Sequence, residues 1–440
     1  MADSTIPTTL DHRSAGRFWL AVLLTGVGAG IGAVILLRLL QVVQHVMWSD
    51  PGATLLNAAA QASALRHILV LIGAGLLTGA GQLVLVRLSS GNSIDITEAI
   101  WFAAGRLPAW RTLGSATLSV VLVGMGASLG REGAPKQAGA VIANALSDQG
   151  RFSDEQRRLL VACGAGAGLA AAYGVPLGGA LFALEVLRGA LALRLVLPAL
   201  LASAIATAIS WLFLPNAPTY ILPAFHNSGP DLLWAILVGL ISGLVSVVFV
   251  RIIAWADRNR PEGRRRLIAP LFALGSLGLI SIPFPQLLGN GKDIAQLAFA
   301  GQIAPGLLLI LLLLKPAMTA MCLVSGAPGG LFTPSLALGA LLGGTLGQAW
   351  TLLWPDTQPA LFAVVGAGAV LAATTQGPIS AIVLIMELTG SDRSFIAPML
   401  LAVITATLIA RTIEPRSIYD ARLTDEQVTA RQKLREPAAY

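Results

Sequence analysis

The sequence predicts an all-α polytopic membrane protein, assembled from two inverted-topology repeats of tilted and broken helices. Three observations lead there: a shortage of charge, apolar runs interrupted by glycine and proline, and an internal repeat. Of 440 residues, 55% are hydrophobic and 12% charged, about half the roughly 25% charge of a soluble domain. The mean hydropathy is +0.76. Residues 195–230 and 357–386 hold no Asp, Glu, Lys or Arg. Each stretch has room for one or two helices of the roughly 20 residues that cross a bilayer.

Apolar segments begin near residues 17, 67, 113, 158, 176, 195, 231, 267, 303, 331, 360, 378 and 395. Several are too short for a perpendicular span, and many of the 47 glycines and 24 prolines fall inside them. Irregular backbone survives at membrane depth only where protein or a polar cavity buries it. A transporter-type interior is therefore expected. The boundaries read as a cytoplasmic tail over 1–16, a first half over 17–215, a second, inverted half over 216–423, and a short cytoplasmic tail over 424–440 without a regulatory domain.

The formal charge is +7 and the sequence pI about 10.0. In a soluble chain that balance would raise nucleic acid as a partner. Here Arg13 and Arg17, then Arg151, Arg157 and Arg158, then Arg258 through Arg266 sit in short clusters between apolar spans. That is the pattern of cytoplasmic loops, and it excludes nucleic acid. The polar start runs straight into a full-length apolar span, so no cleavable leader is read and both termini are predicted to be cytoplasmic. Cys163, Cys322 and the scattered His12, His45, His67 and His226 suggest neither a metal site nor a catalytic set, and no cofactor motif is present.

Residues Gly164–Glu185 align without gaps to Gly366–Glu387, with nine of 22 positions identical, among them the Pro176/Pro378 and Glu185/Glu387 pairs. Upstream, Gly126–Ala140 aligns with Gly326–Ala340. Arginines precede the first copy but not the second, which puts the two starts on opposite membrane faces. Inverted repeats with discontinuous helices place an ion site near the midplane, where half-helix N-termini converge.

Two glycine-rich stretches, SLGREGAP (Ser128–Pro135) and SGAPGGLFTP (Ser325–Pro334), feed apolar helices at corresponding places in the two copies. A helix start offers unpaired N–H groups and about half a positive charge. Two such starts meeting would bind an anion through amide dipoles, loosely enough for release, where a buried Lys or Arg would hold it too tightly. Glu132 stands in one of them. A carboxylate in a first helical turn is ordinarily a dipole partner, but inside a membrane an ionisable residue is functional by default.

These stretches resemble the CLC family of chloride channels and chloride/proton antiporters, in its bacterial form without a cytoplasmic domain. GREG (Gly130–Gly133), GGLFTP (Gly329–Pro334), the SGAPGG lead-in, GLAAAYGVPLGG and Tyr419 in RSIYDARL carry the resemblance, over about residues 17–423. It implies a CLC-type fold, a homodimer with one pore per subunit in the bacterial inner membrane, and chloride as substrate. It implies that Glu132 is the gate, with Gly130, Gly330 and Pro334 supporting the motifs. Leu331 and Phe332 amides with the Tyr419 hydroxyl would line a central anion site, and Arg131 to Gly133 amides an outer one. An interfacial anchor is the alternative for Tyr419.

The chain departs from the family pattern twice. Gly91 in SSGNSID falls where the family has an anion-binding serine, unless Ser90 or Ser93 takes the place, which leaves nitrate or fluoride as alternative substrates. Val186 falls where proton-coupled members carry a glutamate. A valine relays no proton, so passive or weakly coupled flow is expected ahead of chloride/proton exchange. GASLG (Gly126–Gly130) formally fits a hydrolase nucleophile elbow, but that motif needs a strand–turn–helix and His and acidic partners. A channel or transporter, not an enzyme, is expected.

Overall fold

The computed structural model describes residues 15–49, 54–88, 95–225, 229–390, 395–420 and 423–435. Among them run eighteen α-helices: α1 (Ala15–Trp48), α2 (Leu55–Gln61), α3 (Ala64–Leu88), α4 (Ile96–Phe102), α5 (Ala109–Gly124), α6 (Gly133–Gly150), α7 (Asp154–Tyr173), α8 (Pro176–Leu181), α9 (Leu193–Trp211), α10 (Gly229–Arg258), α11 (Arg265–Ile280), α12 (Lys292–Phe299), α13 (Pro305–Val324), α14 (Phe332–Trp350), α15 (Pro359–Thr375), α16 (Pro378–Thr389), α17 (Ile396–Ile413) and α18 (Asp425–Arg435). A wider π-turn, Phe182–Arg188, continues α8. Among the described residues, α1, α3, α9, α10, α13 and α17 are long and apolar enough to cross a membrane.

Each predicted apolar segment starts within about four residues of a helix. The short α2, α4 and α12 escaped notice because seven or eight residues carry little periodic signal. The stretch read as a C-terminal tail contains α18, which packs against the rest of the chain. Its sequence is polar, but Val428 and Arg431 turn inward. The Arg431 guanidinium pairs with Asp420, donates to the Val186 carbonyl at 2.8 Å and lies 5.2 Å over the Trp101 ring.

The two sequence copies build matching pieces. Helix α7 opens on a capping box, with Ser153 and Gln156 satisfying each other's backbone, and closes at Gly174 in the left-handed region, φ +70°. Pro176 then starts α8, where its missing N–H costs nothing. In the second copy, α15 closes at Gln376, φ +55°, and Pro378 starts α16. That left-handed glutamine is held by tertiary contacts: its side chain donates to the Glu414 carbonyl at 3.0 Å, and its own carbonyl accepts from Arg411 at 2.9 Å.

Helices α7 and α15 are buried on nearly every face. Glycine lets the backbones around them touch. A Cβ on Gly139 would overlap the Gly164 carbonyl, and one on Gly339 would overlap that of Gly366. The copies also cap each other. Glu185 accepts from Ile379 N (3.2 Å) and Ser380 N (2.6 Å) at the start of α16. Glu387 accepts from Leu177 N (3.0 Å) and Gly178 N (2.6 Å) at the start of α8. Contacts in which each partner repeats the other's role are those of two units related by an approximate two-fold axis.

Candidate functional site

The loops leading into α6 and α14 cross at two glycines. Gly130 N donates to Gly330 O and Gly330 N to Gly130 O, both at 2.7 Å, forming an isolated antiparallel bridge. A side chain at Gly330 would overlap the Glu132 carboxylate, so only glycine fits this approach. Pro334 stands in the first turn of α14, where no N–H is needed.

Glu132 occupies the N-cap of α6 but makes no cap bond there. Its carboxylate reaches across to the start of α14. Oε1 accepts from the Phe332 amide at 2.7 Å, and Oε2 accepts from the Thr333 hydroxyl at 3.1 Å and lies 3.4 Å from the Tyr173 hydroxyl. Glu132 has no exposed surface. The expected partnership between this carboxylate and a helix dipole exists, but the dipole belongs to the other copy.

The neighbours of Glu132 in the chain face different cavities. Gly133 lines one of about 80 Å³, together with Lys136, Asp257, Gly330, Leu331 and Tyr419. Arg131 lines two others of about 240 and 290 Å³, both of which also include Gln44 and Lys292. The Tyr419 hydroxyl is buried without a hydrogen-bond partner among the described residues, and its ring stands edge-on to Phe182 at 5.4 Å. Thus Gly133, Leu331 and Tyr419 do converge on one space, while Arg131 turns to the other side. Gly91, with Ser90 and Ser93, lies outside the described residues.

Three side chains escaped the sequence reading. Lys136 is buried and lines the Tyr419 cavity, its Nζ 4.5 Å from the tyrosine ring centroid. A full cation therefore borders this space, contrary to the expectation of amide dipoles alone. Its spacing of four from Glu132, which places both on one helix face, was the available signal. Thr333 and Tyr173 offered none, because their contacts with Glu132 bridge distant parts of the chain. At the other cavities, Lys292 lies outside the six long apolar helices. Burial, and then the Arg131 guanidinium, hold its ammonium below the usual lysine range.

Val186 is buried, with its carbonyl taken by Arg431. The GASLG serine, Ser128, is buried 3.4 Å from the Thr319 hydroxyl, while His67 bonds Ser281 and the Ala59 carbonyl. No hydrolytic pair forms between them. Among the described residues no three His, Cys, Asp or Glu side chains gather as metal ligands.

Residues 84–411 match the family described as voltage gated chloride channel. The chain belongs to the CLC family. As a CLC protein it is an all-helical integral membrane protein of anion transport, placed among channels and transporters and not among enzymes. It is 34% identical over 312 residues to the H(+)/Cl(-) exchange transporter ClcA of Salmonella arizonae, covering 68% of this chain and 66% of that protein, just under two thirds of its length. It is 34% identical over 403 residues to a ClcB-like protein of Ralstonia nicotianae named for a chloride channel, covering 88% and 93%. Its CLC fold is similar to that of a cyanobacterial Cl−/H+ antiporter, with TM-score 0.78 and 24% identity over 95% of this chain and 99% of the other.

Proposed function

We propose that this chain carries chloride across a bacterial cytoplasmic membrane and that Glu132 is the gate on its path. The observation behind this is the fully buried carboxylate on the Phe332 amide, between neighbours that line different cavities. N–H donors that hold a carboxylate oxygen also suit a chloride ion, so the two compete for one place. Flow requires the carboxylate to be displaced or protonated. Leu331 and Phe332 amides with the Tyr419 hydroxyl form the inner station, and amides of Arg131 to Gly133 the outer one. The halves 17–215 and 216–423 are inverted, both termini are cytoplasmic, and the working unit is a homodimer with one path per chain.

Several relatives are named for chloride/proton exchange, and this supports exchange over the passive flow that Val186 suggested. Passive flow is kept as the second reading for one reason: a buried valine whose carbonyl faces an arginine offers no internal proton acceptor at that position.

The test records chloride and proton movement together in proteoliposomes. Chloride efflux above empty vesicles, altered in rate or pH dependence by Glu132→Gln, is expected. Uphill proton movement driven by a chloride gradient means exchange, and its absence means passive flow. Absence of any anion flux, with nitrate and fluoride also tried, overturns the proposal.

A further inference from the structure

Resting on the reading of Glu132 as gate, we infer that the Tyr173 and Thr333 hydroxyls form a clasp that sets how firmly Glu132 occupies the anion path. Tyr173 ends α7 and Thr333 is the second residue of α14, so elements from both copies meet on one carboxylate oxygen. The two hydroxyls lie 2.7 Å apart and both reach Glu132 Oε2, while the Phe332 amide takes Oε1. Each hydroxyl has a single proton. The short tyrosine–threonine contact and the 3.1 Å threonine–glutamate contact therefore form a relay in which Tyr173 donates to Thr333 and Thr333 to Glu132. Successive bonds of this kind polarise and strengthen one another. The Arg131 guanidinium, 5.0 Å over the Tyr173 ring, holds the tyrosine in place.

Donors aimed at a carboxylate favour its charged form. The clasp thus resists both routes of opening, displacement by chloride and protonation. Other groups whose fields reach the site are Arg131 beside it, Tyr220 after α9, Tyr419 and Lys136 on the far side, and Lys292 and Asp293 at the start of α12. Gly133, which stands in the first copy where Thr333 stands in the second, has no hydroxyl, so the clasp exists once per chain.

Tyr173 and Thr333 are positioning residues, and the test reads a pH profile. Chloride efflux from proteoliposomes is followed against pH for wild type, Tyr173→Phe, Thr333→Val and Thr333→Ser, and for each change combined with Glu132→Gln. Thr333→Val should raise efflux near neutrality about tenfold, the ratio expected for one hydrogen bond to a charged group, and Tyr173→Phe by less, because its proton goes to a neutral hydroxyl; both should move the half-maximal pH upward. Thr333→Ser should keep the wild-type profile, and none should alter Glu132→Gln. Profiles of Tyr173→Phe and Thr333→Val that coincide with wild type, while Glu132→Gln departs from it, overturn the clasp and keep the gate. A Glu132→Gln profile that coincides with wild type overturns both. If Thr333→Val unfolds, Tyr173→Phe decides, since it keeps the ring and its packing against Phe332 at 6.1 Å.

Discussion

The two copies agree where they hold the fold together and differ at the crossing loops, where the anion path is proposed. Gly139 against Gly164 has its equal in Gly339 against Gly366, and Glu185 on α16 in Glu387 on α8. At the crossing loops the likeness stops. Arg131, Glu132 and Lys136 of the first copy stand opposite Leu331, Phe332 and Leu336 of the second. One copy supplies charge and the other supplies amides and apolar walls. At this crossing a symmetric frame has thereby acquired one unpaired carboxylate, Glu132, aimed at the start of α14. Two such carboxylates facing each other would repel, whereas one meets an amide that holds it.

If the shared features are structural, changes in either copy should do equal harm. Gly139→Val and Gly339→Val each push a side chain into a backbone carbonyl that cannot retreat, and each should cost about 3 kcal/mol or more. Thermal unfolding in detergent measures this, and tolerance of one with loss of the other would undo the equivalence. Lys136→Met tests the unshared part. Charge in a cleft raises the local concentration of the opposite ion, so chloride flux should drop about tenfold and recover at high chloride on the Tyr419 side. Unchanged flux would make Lys136 a packing residue only. Glu185→Gln and Glu387→Gln each weaken one helix cap and should lower stability by about 1 kcal/mol, equally in thermal midpoint. A large loss of transport from one alone would give that carboxylate a second task.

Much of this asymmetry could be read before any coordinates. Helix starts announce themselves through local signals: Pro176 and Pro378 at first positions, Ser153 with Gln156 as a box, and glycine runs before α6 and α14. The repeat is visible because the same packing problem, a helix buried on all sides, selects the same small residues twice. What stayed hidden is what distant contacts decide. Glu132 looked like a partner of its own helix, and only the fold turns it toward Phe332, 200 positions away. Gln376 adopts a glycine-like backbone because Glu414 and Arg411 hold it. Arg431 sits in polar sequence typical of a solvated tail, yet it is buried against Val186 and Asp420.

The paired bonds between Gly130 and Gly330 restrict how such a protein can move. Drawing α6 and α14 apart would break both bonds at once. If Glu132 gates the path as proposed, the scaffold stays still while the torsions of one glutamate do the travelling, and a passing ion meets a turnstile rather than a pair of doors.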